Sequence, residues 1–277
     1  MKIKALSKTP INSIVHCLQQ SFADYFVQMP ADPSYWENRW KGARVDYGAS
    51  FGTFQTKELV GFMIHGLDFY RGIFTAFNTG TGIIPTFRGQ RIVQKMYEKA
   101  IPELQERGVQ SCRLEVIQKN EKAIKAYQRA GFSVQRELKC YRGRISAQNE
   151  HTVQLKKMDL HFFDWDAYEG QDFYSWDHVR KAILLQENQY ELYEVAQDQE
   201  GIGYFIINPH TGYLAQFDLN DRRLPMHWTL LFEGIAQVSS KLKILNIDVQ
   251  EHAKIQIMEY LGLDNYIDQY EMELTLG

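Results

Sequence analysis

The sequence predicts a mixed α+β fold laid down twice in one chain. Three observations carry that reading. Apolar alternation marks runs of antiparallel strands that lead into a single strand–helix–strand unit, an order that requires a mixed sheet with helices packed on it. The chain has 277 residues, 44% hydrophobic and 23% charged, enough for one large core or two domains of about 140 residues. The element order of the first half then recurs in the second, with Gly262-Leu263 standing where Gly131-Phe132 stood.

Taken in order, residues 2–6 read as a short strand. Pro10 opens a helix through Phe22 that places Ile11, Ile14, Val15, Leu18 and Phe22 on one face. Pro30 and Pro33 break the chain before a second helical stretch, 34–41, whose Tyr35, Trp36 and Trp40 either fill a core or line a substrate cleft. Residues 49–55 and 59–67 read as antiparallel strands around a Thr-Lys-Glu turn, with His65 in the second and Asp68 just after it. Arg71-Gly72 turns the chain into a third strand that ends in TGIIP, residues 81–85. A long amphipathic helix is expected from about residue 89 to 107, capped by Gly108 and kinked in its last turns by Pro102. Leu114, Val116 and Ile117 form a buried strand, and Ala123, Ile124, Ala126, Tyr127 and Ala130 fall at helical spacing. Gly131 sits where a left-handed cap ends that helix, and Phe132 restarts a strand. Residues 133–141 and 151–155 close the first half as strands.

Residues 158–177 are acidic, aromatic and irregular, and the boundary between two domains, 1–157 and 158–277, is expected at their start. Beyond them the reading is a helix at 175–186, strands at 191–196, 202–208 and 213–219, a helix at 227–240, a strand at 242–247, a helix at 250–261 and a last strand at 270–276. With Gly262 placed on Gly131, Leu245 falls on Leu114, Ile247 on Val116 and Ile257 on Ala126 without a gap, the mark of an internal duplication.

Composition excludes several classes. The N-terminus has no apolar run of signal-peptide length and no stretch of about 20 apolar residues exists, so a soluble, cytoplasmic chain without a membrane partner is expected. Cys17, Cys112 and Cys140 have no metal-ligand spacing and cannot all pair, which predicts reduced, buried thiols and no metal. The net charge of −3 conceals an asymmetry: residues 1–157 hold 24 Lys and Arg against 13 Asp and Glu, and residues 158–277 hold 7 against 21. A basic first half suits a polyanionic cofactor, and an acidic second half suits cationic substrates or docking on the first. The basic residues are dispersed and carry no reading motif, which excludes nucleic acid as a partner.

The chemical centre is expected at LEVIQKNEKAIKAYQRAGF, residues 114–132. A strand, a short connection and a helix would bring Glu115, Asn120 and Tyr127 towards one mouth, with Asn120 and Tyr127 two helical turns apart on one face. Upstream, Arg88 to Val93 open a helix whose unpaired N–H groups and partial positive charge suit a pyrophosphate, and Gly89 allows close backbone approach.

On these residues the chain resembles the GNAT acyltransferase superfamily. LEV followed by N-x-x-A-x-x-x-Y-x-x-x-G-F resembles its second signature, and TGIIPTFRGQRIVQKMY resembles its cofactor loop. The resemblance implies the acyl-CoA N-acyltransferase fold in two tandem GNAT-like domains, and direct transfer of an acetyl group from acetyl-CoA to a primary amine in a ternary complex. It further implies that Ile83 and Ile84 pair with the pantetheine amides. Arg88, Gly89, Gln90, Arg91, Ile92 and Val93 would cradle the pyrophosphate, and Asn120 would hydrogen-bond the cofactor. Tyr127 would protonate the departing thiolate, and Glu115 would deprotonate the amine through water; on the residues alone, Glu115 is equally a sheet-face carboxylate paired with a neighbour such as Arg113. Trp36, His65 and Asp68 are reserve candidates for the acceptor site. Arg91 and Val93 stand where the family prefers small residues.

In the second half Asn120 becomes Glu251, Tyr127 becomes Met258 and Glu115 becomes Asn246. FDLNDRRLPMHW lacks an Arg-Gly step, and its Asp218 and Asp221 would repel a pyrophosphate. Residues 158–277 are therefore expected to be a degenerate GNAT-like domain without a cofactor site, in a monomer or homodimer. The alternative to an enzyme is a non-catalytic acyl-CoA-binding sensor or assembly module.

Overall fold

A computed structural model describes residues 1–25, 28–146 and 153–277. The elements are β1 (Lys2–Ala5), α1 (Ile11–Ser21), α2 (Pro33–Gly42), β2 (Phe51–Gln55), β3 (Glu58–Tyr70), β4 (Ile73–Ile83), α3 (Ile92–Glu106), β5 (Ser111–Ile117), α4 (Glu121–Arg129), β6 (Ser133–Arg144), β7 (Gln154–Met158), α5 (Arg180–Leu184), β8 (Glu191–Gln197), β9 (Glu200–Asn208), β10 (Tyr213–Leu219), α6 (Met226–Val238), β11 (Lys241–Asp248), α7 (His252–Tyr260) and β12 (Asp264–Thr275). The strand expected at 151–155 is β7; His151 and Thr152 lie outside the described residues. No helix among the described residues is long and apolar enough to cross a membrane, and none of their His, Cys, Asp and Glu side chains group as a metal site.

The chain divides into two compact units, Met1–Gln135 with Tyr270–Gly277, and Arg136–Gln269. Contact thus divides it elsewhere than at the expected 157/158. The reason is strand pairing: β6 ladders with β11 from Leu138↔Asp248 to Arg144↔Lys241, and the end of β12 returns to lie beside β5.

In the first unit the strand order is β1-β2-β3-β4-β5-β12. The pairs β1–β2, β2–β3 and β3–β4 are antiparallel, and β4–β5 is parallel. Alternation along the strands sends side chains to two cores. On β3, Phe62 and Ile64 join Ile14, Val15 and Leu18 of α1 and Trp36 and Trp40 of α2, while Met63 joins the other core. On β5, Cys112, Leu114 and Val116 pack with Met96 and Tyr97 of α3 and Tyr127 of α4. Arg113 and Glu115 therefore lie on the opposite face. There Arg113 pairs with Glu271 and Glu273 of β12 (2.8 and 3.0 Å), and Ser111 donates to Glu273 (2.6 Å). Met272 and Leu276 complete the core beneath α3.

α3 starts three residues later than expected, because Gly89 (φ 78°) and Arg91 (φ 56°) are left-handed. It continues through Pro102 to Glu106. Gly131 holds the left-handed cap after α4, with φ 100°.

In the second unit the order is β12-β6-β11-β10-β9-β8-β7, with β10–β11 parallel. One core gathers Phe205, Phe217, Trp228, Leu231, Ile244 and Met258. The other gathers Leu160, Phe163, Trp165, Leu192 and Tyr204. The helix expected at 175–186 contracts to α5, Arg180–Leu184. Its first turn is lost to longer-range bonds: the His178 carbonyl, which would accept an N–H four residues on, accepts from Gln216 (2.5 Å), and the His178 ring bonds Ser175 (3.1 Å) and Tyr213 (2.5 Å).

Candidate active site

The site begins where two strands stop pairing. β4 and β5 form a parallel ladder from Thr75↔Ser111 to Asn78↔Leu114, and no further pairs follow among the described residues. On the other side of β4 the register slips: Ile64 faces Gly80 and His65 faces Asn78, so Thr79 is an extra residue. This β-bulge sits one residue beyond the last β4–β5 pair. Residues 79–83 and 115–117 then run on with a gap between them. Such a gap, edged by backbone N–H and C=O groups, can take an extended amide-bearing chain as a surrogate strand.

The Asn78 side chain braces the bulge. Its Nδ2 donates to the Thr81 hydroxyl and to the Tyr97 hydroxyl (both 2.7 Å), and its Oδ1 accepts from the Gly80 N–H (3.1 Å). The Tyr127 hydroxyl, from α4, is hydrogen-bonded to Thr81 in turn. Its ring packs edge-on against Phe132 at 5.8 Å. Burial pushes the Tyr127 phenol up to about 12, against the opposing effect of the Thr81 bond, so it carries its proton at neutral pH. Asn120 caps α4 by accepting from the Ala123 N–H (3.2 Å) and also bonds the hydroxyl of Tyr25. Tyr25 lies near enough to Tyr127 to disfavour its ionisation.

Asn120 and Tyr127 are thus gathered on one side of the sheet with Asn78, Thr81 and Tyr25. Glu115 is across the sheet, beside Arg113, by the alternation that buries Leu114 and Val116 under α4. The reserve candidates make structural bonds. The Trp36 indole donates to the Pro30 carbonyl (2.9 Å) and packs on Trp40 at 5.4 Å. Asp68 pairs with Arg44 (3.0 Å). His65 is fully buried with Nδ1 on the Ala49 carbonyl (2.7 Å), and burial lowers its pKa to about 4.

At the outer end of β4, Ile84 gives its N–H to the Val60 carbonyl (3.0 Å), and the Ile83 carbonyl accepts from Arg88 Nε (3.1 Å). The Arg88 guanidinium is turned onto Asp24 (2.7 and 2.8 Å) and the Ser21 carbonyl at the end of α1 (2.8 Å). Gly89, Gln90 and Arg91 are exposed. Arg91 precedes α3 without a side-chain cap and no acidic residue stands in the first turn, so the N–H groups of Ile92 and Val93 are open to an anion. Arg91 holds the left-handed conformation that favours glycine. The sequence reading missed Asn78, Thr81 and Tyr25; Gly80 and Gly82 inside a strand were the signal of a bulge nearby.

The second unit repeats the geometry and fills it. β10 and β11 pair only at Tyr213↔Lys243 and Leu214↔Ile244, and β10 bulges at Ala215. The free edge of β10 is then met by the unit's own chain. The Tyr174 hydroxyl donates to the Phe217 carbonyl (2.9 Å) and accepts from the Phe217 N–H (3.1 Å). Lys254 stands over the Tyr174 ring at 4.7 Å. Asp218 is neutralised by Arg222 and Lys254, and Met258, in the place of Tyr127, is fully buried.

A model of the acetyltransferase (GNAT) family matches residues 15–132. No curated protein matches the sequence. Among solved structures, the chain is similar to a GCN5-related N-acetyltransferase from Sphaerobacter thermophilus, with 10% identity, 99% of this chain and 95% of that one covered, and a TM-score of 0.71. It is similar to a tandem GNAT protein from the clavulanic acid biosynthesis pathway, with 13% identity, coverage of 100% and 98%, and a TM-score of 0.66. A GCN5-related N-acetyltransferase from Anabaena variabilis gives 14%, 100% and 73%, and 0.64. At these identities the structural likeness establishes the fold: the expected GNAT architecture, with a length matching a tandem pair.

Two outcomes follow from the local geometry. Arg91→Gly unfolds at higher denaturant concentration than Arg91→Ala, by about 1 kcal/mol, because only glycine relieves the left-handed strain; equal midpoints and slopes for the two variants would contradict it. His65 is held neutral in the fold, with its pKa below the ordinary 6.5, so the unfolded chain takes up its proton first. Stability from this residue is present above pH about 6.5 and is lost as pH falls towards about 4. Urea titrations of the wild type and His65→Gln across that range should show a steeper decline in the wild type.

Proposed function

We propose that residues 15–132, which match a model of the acetyltransferase (GNAT) family, form an acetyl-CoA-dependent N-acetyltransferase acting on a primary amine. The observation that supports it most is the gap between β4 and β5, with the Tyr127 hydroxyl tied to Thr81 at its edge. The pantetheine arm would pair with the free β4 edge from the bulge onward, near residues 79–82, rather than at Ile84, whose N–H is committed. The first-turn amides of Ile92 and Val93 would receive the pyrophosphate, with Gly89, Gln90 and Arg91 around it. Arg88 would act by fixing the loop onto α1, since its guanidinium is spent on Asp24 and Ser21.

A gap between two strands opens to both faces of their sheet. Tyr127 approaches from the α4 face and Glu115 from the other, so the departing sulfur and the attacking nitrogen would meet different residues. The amine, having lost one proton to water held by Glu115, attacks the thioester carbonyl. Backbone N–H groups at the bulge stabilise the oxygen as negative charge develops there. As the C–S bond breaks, Tyr127 gives its proton to the sulfur, the nitrogen gives up its second proton to solvent, and Tyr127 is reprotonated from solvent, leaving an amide and free CoA thiol. A thiol nucleophile is not required, and burial pushes the thiols of Cys17 and Cys112 up to about 12. The Glu115 face also holds Glu271 and Glu273, which pair with Arg113, and carboxylates there suit a cationic acceptor. Three free, buried cysteines suit the reducing cytoplasm.

In the same reading residues 158–277 bind no cofactor, because Tyr174 already occupies the strand edge of the second gap. The engagement of Arg88 and the strain at Arg91 favour, as a second reading, a domain that binds acyl-CoA without turning it over.

Tyr127→Phe is expected to lower turnover about a hundredfold while leaving calorimetric acetyl-CoA affinity within a few-fold of wild type. Unchanged turnover removes the acid role, and tight binding with no thiol release on any of a panel of amines supports the binding module. Calorimetry on the whole chain should give one acetyl-CoA per chain; two would show that the second unit also has a working cofactor site.

A further inference from the structure

The Asn78 side chain gives the hydroxyl of Thr81 a direction. Its carboxamide cannot be turned the other way round, because Oδ1 accepts from the Gly80 N–H (3.1 Å) and a flipped amide would set donor against donor. Both hydrogens of Nδ2 are then spent on hydroxyl oxygens, those of Thr81 and Tyr97, each at 2.7 Å. Thr81 Oγ1 also lies 3.1 Å from Asn78 Oδ1. Seen from Thr81, however, the two atoms of one amide subtend an angle far smaller than the tetrahedral spread between a hydroxyl's donated and accepted bonds. Thr81 can therefore make a well-aligned bond to only one of them, and the shorter contact is the one from Nδ2. The Thr81 hydroxyl thus accepts from Asn78, and its own hydrogen is left for its other partner, the oxygen of Tyr127.

The second unit shows that a bulged strand does not itself require this chain of bonds. β10 bulges at Ala215 as β4 bulges at Thr79, and Leu214↔Ile244 stands where Asn78↔Leu114 does. Counted from the bulge, Leu214 takes the place of Asn78 and Phe217 that of Thr81, and Met258 takes the place of Tyr127. All three are buried in one apolar core. The amide and the hydroxyl are therefore absent together in the unit from which the phenol is absent, and the bulge forms without them.

On the reading of Tyr127 as the acid, from which this follows, we propose that Thr81 and Asn78 are positioning residues for the proton transfer. Asn78 fixes the Thr81 hydroxyl as a donor to the Tyr127 oxygen, which leaves the Tyr127 proton free for the departing sulfur. A phenol that donated to Thr81 would have to break that bond before protonating anything else. With the polarity set by Asn78, the phenolate left behind is already met by the Thr81 O–H, and a hydrogen bond to a charged oxygen is stronger than one to a neutral oxygen. The Thr81 bond accordingly lowers the Tyr127 pKa against the effect of burial. Neither Thr81 nor Asn78 gains or loses a proton, since the phenolate recovers its own from solvent.

The test uses the full chain with saturating acetyl-CoA and an amine that the wild type acetylates. Thr81→Val should lower kcat roughly tenfold and leave calorimetric acetyl-CoA affinity within a few-fold of wild type, while Thr81→Ser, which keeps the hydroxyl, restores kcat. Asn78→Asp keeps an acceptor for Gly80 but offers Thr81 no donor, so it should slow turnover as Thr81→Val does. In a Tyr127→Phe chain, Thr81→Val should cost nothing further. A Tyr127→Phe chain as fast as the wild type removes the acid and both positioning roles with it. A slow Tyr127→Phe chain beside an unimpaired Thr81→Val, or one that Thr81→Val slows by its full factor again, leaves the acid standing and overturns the positioning roles alone. A readout free of turnover is the ¹³Cζ resonance of Tyr127 in a tyrosine-labelled chain, identified by its loss in Tyr127→Phe. A phenol carbon moves towards its phenolate position when the hydroxyl donates and away from it when the oxygen accepts. Thr81→Val should therefore move the Tyr127 resonance towards the phenolate position; no movement, or movement the other way, overturns the proposal.

Discussion

The early end of the β4–β5 ladder is the constraint on which the first unit's site depends. Parallel strands satisfy each other's backbone groups only while they run together, and here they part after Asn78↔Leu114. A strand edge left open in this way must be met by solvent, by side chains or by a ligand. The bulge at Thr79 turns β4 at that point, and Asn78 holds the turn by bonding Gly80, Thr81 and Tyr97 at once. The position of Tyr127 follows, because its hydroxyl is referred to Thr81. The acid proposed for the thiol is thus located by the strand that would carry the thioester, a coupling that keeps the two in register.

The second unit shows the other solution to the same constraint. Its β10 and β11 part after Leu214↔Ile244, and β10 bulges one residue later. Tyr174 supplies both a donor and an acceptor to Phe217, and Gln216 is drawn onto the His178 carbonyl. One phenol thereby satisfies a residue's N–H and C=O, which is what a surrogate strand would do. The change of Asn120 to Glu251 runs parallel: a residue that caps a helix is replaced by one that ties two cations. Each replacement turns a group towards partners within its own unit.

Much of this was legible in the sequence because it is local. The spacing of Asn120, Tyr127 and Gly131 lies on one helix and its cap, and the matching apolar positions around Gly131 and Gly262 sit on equivalent elements. Glu115 was grouped with Asn120 and Tyr127, although strand alternation beside the apolar Leu114 and Val116 places it on the opposite face. What was not legible depends on residues far apart in the chain. The bulge at Thr79 is defined by β3, the role of Thr81 by α4, and the shortening of the helix expected at 175–186 to Arg180–Leu184 by Gln216. Arg91 is instructive because the sequence identified it as a departure from small residues but gave no conformation. Its φ of 56° lies in the left-handed region, which glycine adopts without strain.

The return of the chain to the first unit bears on why the second unit must fold. β5 is flanked by β4 on one side and by the end of β12 on the other. Arg113 on β5 is buried with Glu271 and Glu273 as its partners, and Met272 and Leu276 fill the core that also holds Tyr127. A buried guanidinium stripped of its carboxylates is strongly destabilising, and so is a core lacking two apolar side chains. The last strand therefore cannot be dispensed with, and it reaches β5 only after residues 136–269 have been made. A folded unit in that position keeps the two ends it joins within reach, whereas an unfolded segment of the same length would exact a loop-closure cost in entropy. The second unit thus has a reason to remain folded that does not require a cofactor site, which is the condition under which its strand edge could close on Tyr174.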